Sequence, residues 1–251
     1  MKQLLVIGIG AGNPDYLTMQ AVKALNQVDV FFLMDKGQSK DKLIDLRREI
    51  CDRYITDPEY RFAEAHCPER ERGDVDYTSA VVDLNQAKQQ TFERMINEEL
   101  SDGQCGGFLV WGDPALYDST VRILQSILAE GRCEFEFKVI PGITSVQALA
   151  AQHKVPLNTI GRSIEITTGR RLAAGKVSDT DSLVVMLDAE DSYHHVADPQ
   201  TQIYWGAYLG TPDEILISGK LGEVADEIER VRKAARAEHG WIMDTYLLRK
   251  P

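Results

Sequence analysis

Ile7-Gly8-Ile9-Gly10-Ala11-Gly12-Asn13-Pro14 continues the apolar run Leu4 to Ile9, and its reading decides what kind of α/β protein this is. A β-rich run that breaks into Gly-x-Gly invites a dinucleotide site, in which GxGxxG lets a pyrophosphate rest against a helix N-terminus. Here the last glycine of that pattern is replaced by Asn13, and Pro14 follows it. The next helical pattern starts only near Thr18, so the loop is too long to aim that helix at a phosphate held by Gly8 and Gly10. Nicotinamide-dependent oxidoreduction is therefore the disfavoured reading. Asp35 imitates the acidic ribose ligand of such sites, but a carboxylate at a strand end is common.

Outward from this loop, short β-rich runs alternate with helical patterns, the rhythm of a largely parallel sheet. Thr18 is the expected N-cap of a helix over 18–28 that gathers Ala21, Val22, Leu25 and Val28 on one face. Strands are expected at 4–9, 28–34, 60–63, 107–111 and 135–140, and helices at 41–54, up to Leu100, at 119–129 and at 145–152. The highly charged stretch 68–76 reads as a surface loop. Pro156, Asn158 and Gly161 punctuate 153–161 without periodicity, which makes it a linker between domains at 1–152 and 162–251. The second domain offers strands at 163–168, 182–187, 202–207, 214–218 and 241–248. Its last helix carries Leu221, Val224, Ile228, Val231 and Ala235 as an apolar stripe closed by Gly240.

Composition narrows the function. The 251 residues carry a net charge of -11, which opposes a nucleic-acid or anionic-membrane surface. Cys51, Cys67, Cys105 and Cys133 show neither CxxC spacing nor a partnered histidine, so reduced thiols and no metal are expected. No apolar run approaches the length of a membrane span, and Leu4 to Ile9 is too brief for a signal-peptide core. A soluble cytoplasmic protein is expected.

The run Gly8-x-Gly10-x-Gly12-Asn13-Pro14, with Leu17-Thr18, Ala21, Leu25, Val28 and Asp29, resembles the opening signature of the tetrapyrrole methylases, departing from it at Asn13. Trp111-Gly112-Asp113-Pro114-Ala115-Leu116-Tyr117 resembles that family's GDP loop, and Val139 to Ser145 its PGITS loop. Tyr208 to Glu214 resembles the GT turn of its second domain. The resemblance implies an α/β fold of two domains with a cleft between them, the first sheet mostly parallel and the second mixed. It further implies S-adenosylmethionine as cofactor, S-adenosylhomocysteine as product and a homodimer. By resemblance, Pro14, Gly112, Asp113, Leu116, Thr144, Ser145, Met186, Leu187 and Gly210 line the cofactor. Gly8, Gly10 and Gly12 then give clearance to the macrocycle. The segments 30–37, 46–51, 110–119, 167–172, 203–217 and 239–249 are most similar to members that methylate C-1 of a corrin precursor with loss of its acetyl group as acetate. Methylation at another ring carbon is the alternative within the family.

Methyl transfer from a sulfonium needs alignment and no enzyme nucleophile, whereas removal of an acetyl group needs a base for water and a donor for the oxyanion. Asp35, Asp113, Tyr117 and Asp188 at strand ends are the candidates, with Lys36 as a donor. Arg170 and Arg171 are the preferred partners for substrate carboxylates, with Arg47-Arg48 second. Surface positions are expected for His153, His194 and His195.

Overall fold

The computed structural model describes residues 1–35, 41–57, 59–66 and 77–251, with the side chains of 35, 41–43 and 77–83 left aside. The chain divides into two compact units, one of residues 1–10 and 14–143, the other of 11–13 and 144–251.

The first unit alternates β1 (Lys2–Gly8), α1 (Met19–Leu25), β2 (Val30–Asp35), α2 (Asp41–Tyr54), β3 (Arg61–His66), α3 (Tyr77–Glu99), β4 (Cys105–Val110), α4 (Thr120–Glu130) and β5 (Phe135–Ile140). Its five strands are all parallel, in the order β3-β2-β4-β1-β5. Alternation along β1 divides the core. Leu4 and Val6 pack with Phe92, Ile96, Ile123 and Leu124 from α3 and α4, while Leu5 and Ile7 pack with Ala21, Leu25 and Ile50 from α1 and α2. Both faces are covered over the central strands, which is why β1, β2 and β4 read as apolar runs, whereas the edge strands β3 and β5 alternate. The chain leaves β1 towards β2 and leaves the adjacent β4 in the opposite direction, towards β5. That reversal is a topological switch point, the place where open α/β sheets bind ligands beyond the carboxyl ends of their strands. The Gly8 and Trp111 loops both start there.

The second unit comprises α5 (Ser145–His153), β6 (Ile164–Thr168), α6 (Gly169–Ala173), β7 (Ser182–Met186), β8 (Gln202–Ala207), β9 (Ile215–Lys220), α7 (Leu221–His239) and β10 (Asp244–Arg249). Its sheet runs β6-β7-β10-β8-β9, mixed because only β6 and β7 are parallel. Ile203, Trp205 and Ala207 of β8 pack with Leu221 and Ile228 of α7 on one face. The other face receives α5, where a β-carbon on Gly206 would come within 2.9 Å of the Leu149 side chain. This helix, which the sequence places ahead of a linker at 153–161, thus packs on the second sheet. Neither α6 nor the 3-10 turn Ser192–His195 is among the expected elements. His153 belongs to α5 instead of a loop, and its Nε2 lies 3.0 Å from the Trp205 carbonyl.

Arg232 is the exception on the buried face of α7. Its guanidinium lies 2.9 Å from Asp244 Oδ2 and 3.4 Å from Asp191 Oδ1, and it donates to the Asp188 carbonyl. Burial lowers its pKa, but Asp244, Asp191 and Asp188 outweigh that and hold it above the ordinary arginine value.

Candidate functional site

At the carboxyl edge of the first sheet three loops are locked by backbone contacts. The amides and carbonyls of Gly10 and Gly112 pair, at 2.8 and 3.3 Å, extending the β1–β4 edge by one antiparallel bridge. A β-carbon on Gly8 would sit 2.6 Å from Gly142 N and 2.9 Å from Gly112 O, and one on Gly10 would sit 2.7 Å from Tyr16 Cβ. Gly8 is required by neighbouring backbone, and Gly10 by its φ of 80° and the Tyr16 β-carbon, constraints that stand beside the expected clearance for a macrocycle. Pro14 opens a 3-10 turn, and its carbonyl accepts from Tyr54 Oη at 3.2 Å. Helix α1 begins only at Met19, with Ala21 N donating to Thr18 Oγ1 at 3.0 Å, so the glycines do not lead directly into it.

Asp113 ties the edge together. Its Oδ2 accepts from Gly142 N and its Oδ1 from Ala115 N, both at 2.7 Å. A carboxylate that holds two backbone amides is a fastener for the Trp111 and Pro141 loops, with one lone pair on each oxygen already committed. Leu116 is half-buried. Tyr117 is 45% exposed at a left-handed φ of 53°, a conformation that a non-glycine residue adopts only when its surroundings impose it. Asp35 closes β2 with its backbone at the same edge, and Lys36 lies outside the described residues.

In the second unit Gly12 packs on the GT turn: a β-carbon there would meet Leu209 O at 2.5 Å and Thr211 Cγ2 at 2.8 Å. The eight-residue glycine stretch is therefore shared, with Gly8 and Gly10 serving the first unit and Gly12 the second. In that turn Gly210 takes φ 78°, its amide donating to Glu214 Oε2 at 2.7 Å. Thr144 caps α5 in a reciprocal capping box with Gln147, and Ser145 Oγ lies 2.9 Å from Thr245 Oγ1.

Met186 is half-buried, but Leu187, which follows β7, is 63% exposed and held at φ 53°. An exposed leucine in left-handed backbone is not core packing. Beneath it Asp188 accepts four hydrogen bonds, from Glu190 N, Ser192 N, Ser192 Oγ and Tyr246 Oη, at 2.7 to 3.1 Å. Gly169 backs onto this carboxylate so closely that no side chain fits. Asp188 is thus structural, and it fixes the strand end that presents Leu187. Arg170 and Arg171 are exposed on α6, where Arg171 donates to the Lys176 carbonyl at 2.7 Å.

The first unit offers backbone edges and small residues, and the second an exposed leucine, groups that each suit a phosphate-free cofactor. No cluster of histidine, cysteine and carboxylate residues suited to a metal occurs among the described residues. Cys51, Cys105 and Cys133 are free and buried, and burial pushes Cys51 up to about 12 and Cys105 to about 11, which makes both poor nucleophiles.

A sequence profile of the tetrapyrrole (corrin/porphyrin) methylases matches residues 3–225. The precorrin-6A synthase (deacetylating) of Sinorhizobium sp is 50% identical over 250 residues, covering 100% of this chain and 96% of that protein. A crystal structure of the cobalamin-synthesis related protein CobF from Corynebacterium diphtheriae matches with a TM-score of 0.85 and 37% identity, over 99% of this chain and 98% of that one. The uroporphyrin-III C-methyltransferase of Thermus thermophilus complexed with S-adenosylhomocysteine matches at TM-score 0.63 and 16% identity, over 98% and 91% of the two chains, a likeness of fold alone.

Proposed function

The chain belongs to the tetrapyrrole (corrin/porphyrin) methylases, and from that premise we propose that it methylates C-1 of precorrin-5 with S-adenosylmethionine and releases the acetyl group as acetate, giving precorrin-6A. The observation that carries this reading is the 50% identity, over 100% of the chain, to a synthase named as deacetylating. Bound S-adenosylmethionine supplies a sulfonium methyl, an electrophile that needs neither an enzyme nucleophile nor a phosphate anchor.

Pro14, Gly112, Asp113, Leu116, Thr144, Ser145, Met186, Leu187 and Gly210 are the residues we assign to that cofactor. Leu187 supplies an apolar surface, the 112–116 segment supplies backbone, and Asp113 acts by holding its loop in shape. Water adds to the acetyl carbonyl, the bond to C-1 breaks with its electron pair left on C-1, and acetate departs. The water's proton needs a base and the carbonyl oxygen a donor. Asp113 and Asp188 are committed to other hydrogen bonds. Asp35 is therefore the base we favour, with Tyr117 and Lys36 as donors. Arg170 and Arg171 meet substrate carboxylates. The same reading takes the protein as a cytoplasmic homodimer that engages no nucleic acid or membrane. A net charge of -11 opposes a nucleic-acid or anionic-membrane surface, and among the described residues no helix is long and apolar enough to cross a membrane.

Incubation with precorrin-5 and methyl-labelled S-adenosylmethionine is expected to give a labelled tetrapyrrole and acetate. Label transfer without acetate would reject deacetylation and keep methyl transfer. Tight NAD binding with no response to S-adenosylhomocysteine would reject both.

A further inference from the structure

The turn that follows β7 carries a left-handed residue at each end, Leu187 at φ 53° and Asp191 at φ 52°. Neither is glycine, so their surroundings impose both conformations. The Asp188 carboxylate holds the inside of the turn through Glu190 N, Ser192 N and Ser192 Oγ, with a tie to the sheet from Tyr246 Oη. Arg232 adds ties from a different element. It reaches in from the buried face of α7 and directs its guanidinium at both ends of the turn: Nη2 donates to the Asp188 carbonyl, directly after Leu187, and Nη1 lies 3.4 Å from Asp191 Oδ1. Its Nε donates to Asp244 Oδ2 at 2.9 Å, and the Trp205 indole donates to that same oxygen at 3.0 Å. Asp244 opens β10, the central strand, opposite Ala207 of β8. One planar group therefore refers both ends of the Leu187 turn to the middle of the sheet.

Stability alone is a poor reason for such an arrangement. A buried ion pair is often no more stabilising than apolar side chains of the same volume, because desolvation offsets the attraction. What an apolar side chain lacks is direction. The guanidinium presents its donors in one rigid plane, so the Asp188 carbonyl, Asp191 and Asp244 are held at fixed mutual angles, which the single ammonium of a lysine does not reproduce. The segment held in this way is the one that presents an exposed leucine.

We propose that Arg232 is a positioning residue: it sets where Leu187 stands and, through that leucine, the affinity for the cofactor. The second half of this statement rests on the proposed function, in which Leu187 contacts S-adenosylmethionine.

The test uses the full chain and Arg232→Lys, which keeps the positive charge and removes the planar fork, and it takes two readouts. The first needs no ligand: leucine-methyl NMR, with the Leu187 signals identified by their loss in Leu187→Asn. Those signals are expected to move in Arg232→Lys, while the methyls of Leu5 and Leu25 in the core of the first unit stay in place. The second is calorimetry with S-adenosylhomocysteine. Arg232→Lys is expected to weaken it by roughly threefold to tenfold, since loss of the leucine's own surface is worth about tenfold. In the Leu187→Asn background the same substitution is expected to bring no further loss, because its effect is carried by that leucine. Asp191→Asn removes one charge that faces Arg232 with a residue that tolerates left-handed backbone. It gives the same pattern at smaller size and decides the matter should Arg232→Lys fail to fold. Unmoved Leu187 methyls overturn the proposal, as does unchanged affinity in the folded variants or an equal loss in both backgrounds, the result of a general loosening of the second unit. Wild-type protein that does not bind S-adenosylhomocysteine, with Leu187 methyls that still move in Arg232→Lys, would instead overturn the proposed function and leave the hold of Arg232 on the Leu187 turn standing.

Discussion

Leu187 combines two costs that a protein normally avoids: 63% exposure of a leucine and a left-handed φ of 53°. Each non-glycine residue held there costs of order 1–3 kcal/mol, and the Asp188 hydrogen bonds directly after it are what hold the chain in that shape. Asparagine tolerates the left-handed region and gives up the apolar surface. Leu187→Asn is therefore expected to keep or raise the urea midpoint while weakening S-adenosylhomocysteine by about tenfold in calorimetry, the scale of a leucine's lost burial. Unchanged affinity would remove Leu187 from the cofactor set. The sequence shows an apolar run ending in Met186-Leu187, equally compatible with core; the exposure that takes Leu187 out of the core goes with a turn held by a carboxylate and a tyrosine 58 residues apart. Asp113 was similarly opaque. Asp-Pro is legible as a turn, but the amide that takes its second oxygen belongs to Gly142, 29 residues away.

Elements whose periodicity is set by one neighbouring face were readable. The alternation Phe135, Phe137, Val139 gave β5 its bounds, and the three- and four-residue steps of Leu43, Leu46, Ile50 and Tyr54 gave α2 its own. Helix α6 spans five residues, too few for a period to register. The sequence predicts helix α7 with its stripe through Val231, which is half-buried, and the fully buried side chain beside it is Arg232. A charged residue is read as outward by default, and only the fold reveals the carboxylates from β10 and the 188–192 turn that accompany it. Because Asp244 is itself buried and also takes the Trp205 indole N–H at 3.0 Å, removing the cation leaves an uncompensated charge. Arg232→Met is expected to cost about 3–5 kcal/mol, read as a lower urea midpoint of the second unit's unfolding. A change below about 1 kcal/mol would mean that the network contributes little beyond what a packed methionine provides.

At the scale of the whole molecule, each unit has its own buried core, so each can open with its own free energy. The residues proposed for the cofactor come from both, Pro14, Gly112, Asp113 and Leu116 from the first and Thr144, Ser145, Met186, Leu187 and Gly210 from the second. A ligand that binds only the native form stabilises whatever must be folded to hold it, by about 2.7 kcal/mol at a hundredfold excess over Kd. Hydrogen exchange with and without saturating S-adenosylhomocysteine separates the possibilities. If both sets of residues hold the ligand, amides of β1 and β4 and those of β7 and β10 gain protection together and by similar factors. Protection confined to β7 and β10 would assign the cofactor to the second unit, leaving the Trp111–Tyr117 loop to the substrate. Protection confined to β1 and β4 would remove Leu187 and Gly210 from contact with it. The motifs give the order of these segments along the chain, but not which of them share a ligand, because that depends on free energies linking residues far apart in sequence.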